Sequence, residues 1–130
     1  MLKVANAKCR DLVSRRLPFK GSNLWGNWSC PTNAEDIEKD CIYVVYSYGT
    51  HFPLWVYDPL VDRWFGNADN YSVTTSKHRS QSQPLDVTVK WFDTETMKRL
   101  TYGGYKQLAS DRVLFGRPLS TDDGWRRVTV

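Results

Sequence analysis

Histidine is scarce in this chain of 130 residues: only His51 and His78 are present. A structural zinc site would have to gather its ligands from scattered positions, so neither a metal nor any other cofactor is expected. Cysteine is scarce too. Cys9, Cys30 and Cys41 are an odd number without a C-x-x-C pair, which fits reduced thiols in a cytosol better than a secreted disulfide framework. A bridge between Cys30 and Cys41 is the one pairing left open. No apolar run approaches the roughly 20 residues that cross a bilayer. The N-terminal "MLKVANAKCRDLV" carries charges where a secretory signal has its apolar stretch, so no membrane association is expected. Catalytic signatures are missing as well. The chain has no phosphate-binding loop, no H-E-x-x-H, no glycine-rich dinucleotide fingerprint and no Ser–His–Asp order.

What is present is an ordinary globular composition, 41% hydrophobic and 25% charged, with an unusually large aromatic share of 14% that includes six Trp and seven Tyr. The length suits one domain over residues 1–130 and leaves little room for a second. Net charge is +4, which permits a polyanionic partner without demanding one. The charge is unevenly spread. Lys3, Lys8, Arg10, Arg15, Arg16 and Lys20 face Asp11 alone in the first twenty residues, while "AEDIEKD" (34–40) is acidic.

Periodicity outlines the elements. Residues 3–16 read as an amphipathic helix ended by Pro18, and "FKGSNLWGNWSCPTN" as irregular or edge structure punctuated by Gly21, Gly26 and Pro31. "CIYVVYSY" (41–48), "FPLWVYD" (52–58) and "RWFGN" (63–67) read as strands joined by short turns, and "LDVTVKWF" (85–92) as a fourth. Asp93 caps a helix that closes near Gly103, "YGGY" (102–105) marks that helix end, and "GWRRVTV" has the look of a short edge strand. The expected fold is α+β: a small antiparallel sheet, a meander of about four strands, packed on one face by two or three helices.

Chemistry has few places to reside. In "YSVTTSKHRSQSQP" (71–84), eight of fourteen side chains are hydroxyls or amides, and Lys77, His78 and Arg79 stand among them. The plain reading is a solvated polar loop. The functional one is a phosphate or nucleic-acid site in which Thr75, Ser76, Lys77, His78 and Arg79 supply donors to anionic oxygens. His51 and His78 are the candidate acid and base of a metal-independent phosphodiesterase, provided the fold brings them together. Asp58, Asp62 and Asp69 read as turn residues. Trp55, Trp64 and Tyr71 are candidate stacking platforms or partner anchors, with Trp25 and Trp28 as further aromatics, unless the sheet core absorbs them.

The segments "YSYGTHFP" and "YSVTTSKHRSQ", together with "VANAKCRDLVSRRLPFKGSNLWG", resemble a group of small proteins encoded by tailed bacteriophages. The resemblance covers most of residues 4–84 and brings no activity with it. It implies a context: an accessory product acting in the cytoplasm of an infected bacterium.

Three readings follow. The first is a non-enzymatic phage binding protein directed at nucleic acid or at a host nucleoprotein or defence complex, as an anti-CRISPR inhibitor would be. The second is a small nuclease using His51 and His78. The third is a purely protein–protein module, for which a homodimer is compatible. The first is favoured, because the polar cationic stretch is conspicuous and no catalytic set is recognisable.

Overall fold

The computed structural model describes residues 1–31, 34–70, 72–101 and 104, with the backbone alone at 38, 39 and 125–128. Among these residues one sheet holds eight strands in chain order. They are β1 (Leu2–Lys3), β2 (Phe19–Lys20), β3 (Leu24–Ser29), β4 (Ile42–Ser47), β5 (Pro53–Asp58), β6 (Arg63–Asn67), β7 (Val87–Phe92) and β8 (Trp125–Val128). The helices are α1 (Arg10–Ser14), α2 (Ile37–Asp40), α3 (Val73–Gln81) and α4 (Thr94–Leu100), and a 3-10 turn at Asn6–Lys8 precedes α1.

The class remains α+β, but the sheet is not the four-stranded antiparallel meander that the sequence implies. It has twice the strands and is mixed. β2 to β6 run antiparallel, whereas β1 pairs with β2 and β6 with β7 in parallel. A parallel pair needs a crossover connection of a dozen or more residues. The turn and α1 make the first crossover, α3 the second, and both lie on the same face. There Cys9, Val13, Tyr43, Val45, Trp55, Tyr57, Trp64 and Val89 form the larger core cluster. On the opposite face Met97 and Leu100 of α4 pack on Val44, Val56 and Phe65. Covered on both sides, β5 is buried along its whole length, as strands between two helical layers are.

Residues 3–16 do not form one helix. Leu2–Lys3 pairs with Phe19–Lys20 instead, and Asn6 binds Ser22 in both directions. Its Nδ2 donates to the Ser22 carbonyl at 2.9 Å, and its Oδ1 accepts from the Ser22 amide at 2.8 Å. An Asn side chain that satisfies remote backbone in this way competes with helix continuation. "LWGNWS", expected to be irregular, is a full strand in the middle of the sheet. Its pairing Ser29↔Ile42 sets the next residues, Cys30 and Cys41, opposite each other with Cα atoms 4.4 Å apart, and they are joined by a disulfide. The expectation of three reduced thiols is therefore corrected, and the inference of a cytosolic setting loses that support. Cys9 alone is free, and burial pushes its thiol pKa up to about 11.

One glycine is needed for packing. At Gly66 a Cβ would sit 2.7 Å from the rings of both Trp55 and Trp91, which approach to 5.4 Å between centroids across it. The reading of "YGGY" as a helix end falls outside the described residues, Gly104 excepted.

Candidate nucleic-acid interface

The stretch that reads as a polar loop is mostly helix. Ser72 caps α3, its hydroxyl accepting from the Thr75 amide at 3.0 Å and donating to Thr75 Oγ1 at 3.0 Å. The face that packs on the sheet is polar. Thr75 is 2% exposed and His78 5%, and Ser82 just beyond the helix is fully buried. Each is satisfied. His78 Nδ1 and Ser47 Oγ hydrogen-bond at 2.8 Å. Ser82 Oγ donates to the His78 carbonyl at 2.7 Å and accepts from Trp55 Nε1 at 3.1 Å. Three polar residues at helical spacing thus replace the apolar stripe of an ordinary crossover helix, because the sheet beneath offers Ser47 and the Trp55 indole as partners.

This packing divides the expected anion site. Thr75 and His78 point into the molecule, and Lys77 is exposed on the other side. Arg79 is engaged: Nη1 donates to the carbonyls of Asn67 at 2.9 Å and Asp69 at 3.1 Å, and Nη2 donates to Asn70 Oδ1 at 2.9 Å. Its guanidinium latches the segment leaving β6, which Asp69 in turn ties to α4 by accepting from the Thr94 amide and hydroxyl at 2.8 and 2.7 Å. Of the five residues expected to hold an anion, Lys77 and the half-buried Ser76 are the ones whose side chains are left toward solvent.

The two imidazoles lie at the same end of the sheet, yet they do not form an acid–base pair with open access. The ring of His51 sits over Gly49 in the exposed turn between β4 and β5. His78 is packed against Tyr48, 5.5 Å between centroids. Burial, and then the neighbouring Lys77 charge, hold its pKa below the ordinary 6.5. Ser47 and His78 resemble a nucleophile and base, but both are sealed from solvent, and Nδ1, the nitrogen an orienting carboxylate would take, is the one that meets the serine. Among the described residues no group of three or more His, Cys, Asp or Glu is placed to hold a metal ion, and no helix is long and apolar enough to cross a membrane.

The aromatic candidates are corrected as well. Trp55 is 0% and Trp64 4% exposed; both are core, and Tyr71 lies outside the described residues. Half-buried rings remain on the face away from α1 and α3. There Trp25 of β3 and Tyr46 of β4 are register partners, with ring centroids 5.4 Å apart at 31°. Along the same row Trp25 pairs with Lys20 of β2, and Lys20 with Lys3 of β1. Strand alternation confirms the common face, since Phe19 and Val4, next to these lysines, belong to the core on the opposite side. Lys3 and Lys20 also border one shallow groove of about 500 Å³ with Ala5, Gly21 and Ser22. A second groove of about 400 Å³ starts at Tyr46 and runs toward the disulfide, with Asp40 and Asp58 in its walls.

Sequence reasoning missed this row because it placed Lys3 in a helix and Trp25 in an irregular segment. The usable signal was "FKGSNLW": a short strand, a turn and a second strand, which would have set Lys20 against Trp25. No protein family, curated protein or solved structure matches the chain.

Proposed function

We propose that this is a non-enzymatic binding protein of bacteriophage type whose partner is polyanionic: a nucleic acid, free or as part of a host nucleoprotein such as a defence complex. One observation carries the reading. Lys3, Lys8, Lys20 and Lys77 are exposed, and none forms an ion pair among the described residues, so their charge is available to phosphates. The aspartates, by contrast, are largely occupied. Asp11 holds Arg15 at 3.3 Å, Asp40 Oδ2 accepts from the amides of Glu35 and Asp36, Asp69 accepts from the Thr94 amide and hydroxyl, and Asp58 accepts from the Leu60 amide.

The nuclease reading loses ground on the same structure. A general base must reach its proton in a plausible substrate pose, and His78 is enclosed by Ser47, Tyr48 and the sheet.

Titrating salt against binding tests the proposal. Fluorescence anisotropy with short single-stranded and duplex DNA and RNA is expected to show affinity falling linearly on a log–log plot, by about 0.7 in slope per phosphate contacted on a single strand. Affinity that holds steady as salt rises would remove phosphate contacts, and the proposal with them.

A further inference from the structure

We infer that the face of the sheet over β1–β3 is a single-strand-binding site, in which Trp25, backed by Tyr46, stacks an unpaired base while Lys20 and Lys3 hold the phosphates that flank it. The inference rests on the nucleic-acid reading above and narrows it to one face and one class of ligand.

Geometry comes first. The four side chains occupy one row across four adjacent strands, Lys3–Lys20–Trp25–Tyr46. Neighbouring strands are about 4.8 Å apart, so the row spans roughly 14 Å, and Lys20 stands one strand from the indole with Lys3 one strand further. A base laid on Trp25 leaves its own backbone within reach of both ammonium groups. The rings are half-buried, which holds them in place, while both lysines and the nearby Asn27 are exposed. The cluster under α4 reaches Ile42 and Val44 of β4, with the half-buried Tyr46 at its margin, and Trp25, Lys20 and Lys3 lie beyond it on the same face.

Electrostatics points the same way. Like charges on neighbouring strands repel, and Lys3 and Lys20 are register partners on the parallel pair β1–β2, with no carboxylate partner for either among the described residues. A phosphate between them turns that repulsion into two charge-assisted contacts. The groove running the other way from Tyr46 has Asp40 and Asp58 in its walls, so the favourable path for a polyanion leads from the ring pair toward the β1 edge. Single strands are favoured over duplexes because only an unpaired base can present its face to the rings.

Lysines on an edge strand also discourage edge-to-edge association. That role involves neither ring, and it predicts aggregation, not lost binding, when the lysines are changed.

Anisotropy with labelled oligothymidylate and with its duplex separates the outcomes. The double variant Lys3→Gln, Lys20→Gln is expected to weaken single-strand binding about tenfold at low salt and to reduce the salt slope by about 1.4. Trp25→Leu, which keeps apolar cover but removes the π face, is expected to weaken it roughly tenfold with the slope unchanged. Thermal unfolding of each variant, matching the parent within a few degrees, certifies the fold. Unimpaired binding by both variants, with loss in Lys8→Gln, Lys77→Gln, would overturn the sheet-face site and leave the nucleic-acid reading standing. Absence of salt-dependent binding in the unaltered protein would end both. Preference for duplex over single strand would overturn the stacking assignment.

Discussion

His78 carries more of the structure than any other single residue of the cationic stretch. Its ring packs on Tyr48 and bonds Ser47, and its carbonyl anchors Ser82, which receives the Trp55 indole. The folded-state pKa is held below 6.5 by burial first and by Lys77 second. The folded protein therefore binds fewer protons than the unfolded chain near that pH. The sign follows: this contribution to stability is fully present above about pH 6.5 and is lost as pH falls through the lower folded value. Urea midpoints measured between pH 7.5 and 5 are expected to drop on acidification, and to drop less in His78→Asn, which keeps a polar atom near Nδ1 but does not titrate. Equal pH dependence in the two proteins would assign the loss to other groups.

Among the elements, α3 departs furthest from what its sequence announces. His78 and Ser82 look like surface residues because their partners, Ser47 and the Trp55 indole, lie 31 and 27 positions upstream and are invisible to a local reading. The helix start was not legible either: the stretch reads as a polar loop, and Ser72 holds the N-cap position. The strands β4, β5 and β6 and the Asp93 cap were legible, since β-branched and aromatic runs and a capping aspartate are local signals. Parallel pairing was not, although a connection of nineteen residues between Asn67 and Val87 is long enough to require a crossover. The two-residue strands β1 and β2 fall below any periodicity test, and with them went the lysine row.

Arg79 binds α3 to the segment that leaves β6 through three acceptors. Arg79→Ala is expected to lower stability by about 1.5–2 kcal/mol, the lower part of the range for hydrogen bonds to a charged group, because the site is partly wet. Arg79→Lys is expected to recover less than half of that, since an ammonium cannot span the fork. Chemical denaturation checks both. Recovery in full by lysine would mean that charge, not the forked geometry, holds the latch.

At the scale of the whole molecule the sheet has two unlike faces. One is closed by α1 and α3, which touch where Arg10 Nη2 donates to the Ser80 carbonyl at 2.6 Å, and the Leu85 amide, in the segment after α3, donates to Ser14 Oγ of α1 at 2.9 Å. The other carries α4 over Val44 of β4, Val56 of β5 and Phe65 of β6, and beside it lie the ring pair and the lysine row. The disulfide staples the far end of β3 to β4, so the strands that carry Trp25 and Tyr46 are tied at one end by a covalent bond and along their length by a continuous ladder. A rigid aromatic platform loses little entropy when a base settles on it, and that favours binding. Lys77 and Lys8 belong to the closed face, so a ligand gripped by the row does not reach them.

The face that a nucleic acid occupies can be read directly from ¹⁵N-labelled protein titrated with short oligothymidylate at low salt. Binding on the open face predicts the largest chemical-shift changes at the backbone amides of Lys3, Lys20, Trp25, Asn27 and Tyr46 and at the Trp25 indole N–H, fading together as salt is added. Changes concentrated instead at Lys8, Ser76 and Lys77, with the Trp25 indole unmoved, would contradict it.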